Sequence, residues 1–225
     1  MTDDESALAN FTGLVRLFPL PNLVLYPQVV QGLHVFEPRY RQMTADTLAA
    51  DGLMAVVLLR PGWEKDYDGR PAVHPVACLG RVSQHELLAD GRYNLRVKGL
   101  SRVRLGEEVP APKLYRVARA ELVADEVPDS LTRLSELRRR LSEAVLPRFP
   151  ADSPAHRQLR ELFDGDTPLA QLCDMLSYAL PLPLELKQQL LEEPRVAVRA
   201  EVMASALRTR ASAGERKFPP EFSTN

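Results

Sequence analysis

FPLPNLVLYPQVVQGLHVFEPRYR, residues 18–41, is the stretch from which the fold is read. Two short apolar runs, Leu23 to Tyr26 and Leu33 to Phe36, are separated by Pro27 and Gly32, and the second leads directly into Pro38. Apolar runs of this length between turn residues predict strands. Pro38 suits the first position of a helix, because its missing N–H would be unpaired there in any case. Tyr40, Met43, Thr47 and Leu48 share one face of a helix predicted to reach about Ala50, with Gly52 as its C-cap.

Before this stretch, an acidic and frayed start leads to a predicted strand over Leu14 to Phe18. After it, Leu53 to Leu59 is a continuous apolar run too short for a typical helix, and it reads as a buried strand. Pro61 to Pro75, with Gly62, Gly69 and mixed charges, predicts an exposed loop that carries Trp63 and Tyr67. Val76 to Leu88 and Arg92 to Leu105 flank Asp90-Gly91, the signature of a two-residue type I′ hairpin. Tyr93, Leu95, Val97, Val103 and Leu105 share one parity, whereas Leu100 breaks the alternation beside Gly99 and predicts a bulge there. Leu114 to Val123 reads as a further strand.

From Asp129 the apolar period lengthens to about 3.6 residues. Leu131, Leu134, Leu137, Leu141 and Val145 form one stripe, and Ser153-Pro154 and Thr167-Pro168 are two further helix starts. Pro183 to Glu192 and Arg195 to Arg208 complete a predicted bundle of five helices. The expected class is α+β: a β part with one helix over 1–124, a helical bundle over 125–210, and a flexible tail over 211–225 that contains Phe218 and Phe222.

Composition narrows the function classes. At 225 residues, 45% hydrophobic and 26% charged, the chain is long and apolar enough for a core without staples. A net charge of -1 supplies no global attraction to nucleic acid or to an anionic membrane. Cys78 and Cys173 stand far apart without C-x-x-C spacing, which speaks against a zinc site or a disulfide framework. With no signal peptide and no apolar run of membrane-spanning length, a soluble cytoplasmic protein is expected.

The opening pattern F-P-L-P-x-x-V-L-Y-P followed by L-H-V-F-E-P-R-Y-R resembles the start of the Lon substrate-binding domain. The likeness continues through Cys78-Leu-Gly-Arg-Val82, through the strand Tyr93 to Arg104, and through Leu180 to Glu192. It implies a twisted, PUA-like β-barrel-type subdomain carrying a helix, joined to a helical bundle. Gln28 departs from the family, which usually has glycine after the proline, and Gln31-Gly32 replaces its leucine-proline. No G-x-x-x-x-G-K-[ST] loop occurs, and the family's Ser-Lys proteolytic domain is absent, so neither ATP hydrolysis nor peptide cleavage is expected. The function that the resemblance implies is non-enzymatic binding of unfolded or partly folded proteins, with a separate protease as a partner.

No catalytic residue, metal or cofactor is predicted. Ser83 and His85 share a strand face but lack an acidic orienter, and His74, Cys78 and His85 match no ligand spacing. His34 and His156 have no partner pattern either. Glu37 to Arg41 reads first as a helix start, with Tyr40 in the core. Trp63, Tyr67, Arg39 and Tyr40 are the protein-binding candidates, since aromatic and arginine anchors supply most interface energy. Binding is expected on shallow apolar surface where the β part meets the helices, with the 61–75 loop as a flexible rim. The alternative is an RNA-binding stripe of Arg92, Arg96, Lys98, Arg102 and Arg104 on one strand, against which stand its lack of interleaved aromatics and the predicted bulge.

Overall fold

The computed structural model describes residues 2–67 and 69–211. Residues 212–225, with Phe218 and Phe222, lie outside the described residues, so the expected tail falls outside them apart from Ala211. The described residues form six strands and seven helices. The strands are β1 (Leu14–Leu20), β2 (Val30–Val35), β3 (Leu53–Leu58), β4 (Val76–Leu87), β5 (Tyr93–Val109) and β6 (Val117–Val123). They form one sheet in the order β2-β5-β4-β3-β1-β6, and β5 pairs with β6 as well, which closes the last five strands on themselves. Only β1 and β3 run parallel, and the crossover that a parallel pair requires contains β2 and helix α2 (Pro38–Leu48). β3 is buried at every position. Val15, Leu17, Leu53, Ala55, Val57, Ala77, Leu79, Leu100 and Val103 make the core of this closed sheet.

The 17-residue strand β5 serves two sets of neighbours. Its first half pairs with β2 and β4, its second half with β4 and β6. Between them Gly99 faces Gly80 and Ser101 faces Leu79, so Leu100 is the extra residue of a bulge, as its broken alternation predicted. The bulge exchanges the faces of the strand. Gly99 is also where the Tyr26–Val29 turn approaches: Gln28 N–H donates to the Gly99 carbonyl and Gly99 N–H to the Val29 carbonyl, each at 2.8 Å. A Cβ on Gly99 would collide with the Tyr26 carbonyl and lie 2.9 Å from Cys78 Sγ.

Three local expectations are corrected. Leu23 to Tyr26 forms no strand, although Leu25 and Tyr26 are fully buried. The segment is anchored by its ends instead: Tyr26 Oη donates to the Lys187 carbonyl, and Pro27 with Gln28 makes a turn in which Gln28 has φ 64°. Pro at the first central position and positive φ at the second are the demands of a type II turn, and they explain why glycine is usual where this chain has Gln28. The acidic start is helix α1 (Asp3–Ala9), held by a Thr2/Glu5 capping box, and Asp4 pairs with Arg81 and Lys98 at 2.6 Å each. The hairpin after β4 has three loop residues: Leu88 and Arg92 close it, Gly91 N–H returns to the Leu88 carbonyl, and Gly91 alone of the Asp90-Gly91 pair takes positive φ, so the turn is not type I′.

Five helices follow β6 as predicted: α3 (Leu131–Val145), α4 (Pro154–Asp164), α5 (Leu169–Ala179), α6 (Leu184–Glu192) and α7 (Val196–Ala211). Ser130 and Ser153 cap α3 and α4. The chain divides into two compact units, one made of the residues up to Glu126 with Cys173–Pro194, the other of Val127–Leu172 with the described residues from Arg195. Compared with a division near residue 124, this returns 173–194 to the β-rich unit. There the Gln188 side-chain amide donates to the Val76 carbonyl at 3.0 Å. In the second unit α3 packs on α7, with Leu137, Leu141, Val145, Ala200, Met203 and Leu207 buried. The Arg138 guanidinium donates to the Phe163 and Gly165 carbonyls at 3.1 and 3.0 Å, a cation at the C-terminus of α4. Among the described residues no helix is long and apolar enough to cross a membrane.

Candidate functional site

The four protein-binding candidates meet at the N-terminus of α2. Gly62, at φ 91°, turns the 61–75 loop into a short 3-10 turn, Trp63–Asp66, which carries Trp63 and Tyr67 toward that helix. The Arg39 guanidinium lies 4.7 Å from the Tyr40 ring and 4.9 Å from the Tyr67 ring. Trp63 meets Tyr67 edge-on at 5.4 Å, and Tyr40 packs on Phe18 at 4.7 Å. Glu37 binds the cluster together: it pairs with Arg39 at 2.8 Å and accepts the Tyr67 hydroxyl at 2.7 Å. Burial, and then the bond to Glu37, raise the Tyr67 pKa, while burial pushes that of Tyr40 up to about 12. Tyr40 is a core residue, and Trp63 is half-buried. The loop is fastened further along as well, where Arg116 donates to the Pro71 carbonyl at 2.7 Å and His74 Nδ1 meets Glu192 at 3.1 Å.

A second feature is the outer face of β2, β5 and β4, with an open hollow of about 490 Å³ lined by Gly32, His34, Gln84, Glu86, Asn94 and Arg96 among others. Across it runs a chain of hydrogen bonds. Arg92 meets His34 Nε2 at 3.2 Å, His34 Nδ1 meets Asn94 Oδ1 at 2.8 Å, and Asn94 Nδ2 donates to Glu86 at 2.9 Å. Because Arg92 can only donate, His34 accepts at Nε2 and carries its proton on Nδ1. Phe36 stacks on His34 at 6.2 Å, and Phe36 and Leu87 are each 60% exposed. Of this face, sequence reasoning named only Arg92 and Arg96, as part of the RNA-binding alternative, and missed its exposed apolar side chains. Its signal was parity: Val35 points to the core, so the neighbouring Phe36 belongs to solvent.

The basic stripe is not continuous. The Gly99–Leu100 bulge puts Arg102 on the face opposite Arg96 and Lys98. Arg102 is 2% exposed and is held by Asp174, by Asp125 at 3.1 Å and by the Leu191 carbonyl at 3.0 Å. Burial alone would depress its pKa, but the carboxylates of Asp174 and Asp125 outweigh burial and raise it. Arg92 pairs with Asp90 and Lys98 with Asp4, while Arg96 and Arg104 are exposed. Ser83 donates to the Arg96 carbonyl at 3.0 Å. Cys78 is fully buried, and burial pushes its thiol well above the usual range. No group of three or more His, Cys, Asp or Glu able to hold a metal occurs among the described residues.

Comparison with known proteins gives one consistent answer. The family model of the ATP-dependent protease La (LON) substrate-binding domain matches residues 15–209. Lon protease 1 of Thermus thermophilus is 30% identical over 199 residues, covering 85% of this chain and 24% of that protein. Lon protease of Anaeromyxobacter dehalogenans is 27% identical over 202 residues, covering 87% of this chain and 23% of that protein. The chain therefore spans about a quarter of the length of the curated relatives it matches. In fold it is similar to the N-terminal domain of Mycobacterium avium complex Lon protease, with TM-score 0.69, 16% identity, and coverage of 87% of this chain and 98% of that one. It is also similar to a Lon N-terminal domain protein from Xanthomonas campestris, with TM-score 0.58 and 23% identity over 85% of this chain and 97% of that one.

Proposed function

The chain belongs to the family of the ATP-dependent protease La (LON) substrate-binding domain, and from that premise we propose that it is a non-enzymatic module that binds unfolded polypeptides or exposed apolar segments in protein quality control. The observation that carries this reading is the match over residues 15–209 to a domain whose role is to bind protein substrates. Weak binding to many sequences calls for exposed apolar side chains on a surface with few charges fixed in advance. Phe36 and Leu87 are such side chains, and the Trp63–Tyr67 pair supplies a partly exposed aromatic anchor at the N-terminus of α2. A separate protease that takes over the bound protein is the partner that fits this role. The RNA-binding alternative is not favoured, since Arg102 is buried in ion pairs and the stripe is divided between two faces.

The test is a titration of the protein with a reduced and alkylated, permanently unfolded polypeptide, followed by fluorescence anisotropy. Saturable binding is expected, weakened about fivefold by Trp63→Ala at unchanged fold. Absence of binding to any unfolded polypeptide overturns the proposal. Salt-sensitive retention on RNA in its place would favour the alternative.

A further inference from the structure

The strand order leaves β2 at one end of the sheet, paired with β5 and, among the described residues, with no strand on its other side. The register fixes which groups face that open side. Gly99 N–H donates to the Val29 carbonyl, so Gly99 turns its N–H toward the β2 side of the strand. In an antiparallel ladder this orientation alternates residue by residue, so Gln31, Leu33 and Val35 turn their backbone groups toward β5. Val30, Gly32 and His34 therefore point their N–H and C=O groups outward. All three residues are exposed, and these groups have no backbone partner among the described residues. The Gly32 carbonyl accepts from the Gln31 side-chain amide at 2.5 Å, and the Tyr178 hydroxyl donates to the same side chain, so an added strand replaces this side-chain bond at the edge while the ladder to β5 stays intact.

Natural sheets guard such edges with charges, prolines or bulges, and VQGLHV has none of these. The row of β5 beside this edge carries Arg92, Arg96 and Lys98. Arg92 and Lys98 are matched by Asp90 and Asp4, whereas the Arg96 guanidinium has no ion pair or hydrogen bond among the described residues. Arg96 faces Gly32, and nothing lies within 4 Å of the place where a Gly32 side chain would begin. The way from Arg96 to the open edge is clear.

We infer that the outer edge of β2 receives an extended polypeptide as an added strand, and that Arg96, reaching across Gly32, selects a segment with an acidic side chain opposite it. Main-chain hydrogen bonds to Val30, Gly32 and His34 supply affinity that does not depend on sequence, as suits a binder of unfolded chains. Strands lie about 4.8 Å apart, so an added strand sits about 10 Å from β5, within the combined reach of an arginine and a glutamate. Val30 and Phe36, 48% and 60% exposed at the two ends of the strand, are placed for apolar side chains of the same segment. This inference rests on the proposed function and names the mode of binding within it.

The test uses the intact chain and a labelled peptide of alternating Val and Thr with one central Glu, read by fluorescence anisotropy. N-methylation of the amides along one edge of the peptide is expected to weaken binding at least about tenfold, because it removes the hydrogen bonds to the edge. Replacing the peptide's Glu by Lys should cost about fivefold with the natural protein and nothing with Arg96→Ala. Gly32→Pro, which deletes one outward N–H, should bring the unmethylated peptide down to the affinity of the methylated one. Equal binding of both peptides to the natural protein overturns the inference, whatever the fold of the proline variant. A protein dimer that Gly32→Pro dissociates and the peptide does not would overturn it too, by assigning the edge to a second copy. If the unfolded polypeptide binds while N-methylation has no effect, general recognition stands and the edge mode alone fails. If no polypeptide binds at all, the functional reading itself has failed.

Discussion

The two halves of β5 carry the same kinds of residue and put them to opposite uses. Before the bulge, Arg96 stands in solvent on a three-stranded face whose outermost strand pairs, among the described residues, on one side only. Beyond it, Arg102 is buried between Asp174 and Asp125 and ties the 173–194 segment to the β-rich unit. One inserted residue, Leu100, makes the difference, because it turns the even positions of the strand from one face of the sheet to the other. A row of arginines at alternate positions is therefore evidence for a binding surface only where the register is unbroken.

This contrast is tested most severely at its buried end. Arg102→Ala removes the ion pair with the Asp174 carboxylate, which is 3% exposed, and it should destabilise the protein by about 3–5 kcal/mol in chemical denaturation. Arg96→Ala should stay within about 0.5 kcal/mol of the natural protein. Equal effects of the two would break the comparison. The double replacement Arg102→Met with Asp174→Leu should be milder than Arg102→Ala, because both members of the buried pair are then removed together. Gly99→Ala attacks the bulge itself, forcing the Tyr26 carbonyl to move, and should cost about 2 kcal/mol or more.

On the open half, the Lys98 hydrogen bond and then Arg81, working against burial, hold the Asp4 carboxyl below its ordinary pKa. A carboxyl whose folded pKa is depressed contributes its stability above the unfolded value and loses it as pH falls through the folded one. Hydrogen-exchange protection of the α1 amides should thus be full above about pH 4 and decline below it, and Asp4→Asn should remove that step. Global stability should change by no more than about 1 kcal/mol, as for other partly exposed pairs. Gln28→Gly has the smallest expected effect and the opposite sign. It relieves a side chain held at φ 64°, with a gain of about 0.5 kcal/mol once the greater freedom of glycine in the unfolded chain is subtracted.

Much of the fold was legible because its signals are local. Pro38 at a helix start, the six buried residues of β3, the bulge at Leu100 and the Ser153-Pro154 start of α4 each follow from a few neighbouring residues. The misreadings have physical causes. Leu23 to Tyr26 is apolar because it is buried, but a tyrosine hydroxyl and a turn anchor it where a ladder was expected. Thr2 and Glu5 had the spacing of a capping box, and the acidic composition around them concealed it. The start of β2 was masked by Gln31-Gly32, which looks like a turn when its partner strand is unknown. At the site, Glu37, Arg39 and Tyr40 stand together in the sequence, but nothing in their spacing told that Tyr67, with Trp63 beside it, would reach them from the 61–75 loop.

Periodicity, caps and the succession of motifs settled the α+β class, the number of helices after β6 and the family, since all of these are properties of neighbouring residues or of the chain read in order. Which arginine is a buried strut, which is free, and which strand keeps an open edge were decided only by tertiary structure. Those outcomes depend on pairings such as Arg102 with Asp174 and Gly99 with Val29, which bring together residues about 70 positions apart. A side chain's partner at that separation is set by strand register and helix docking, and neither is written in any short window of the sequence.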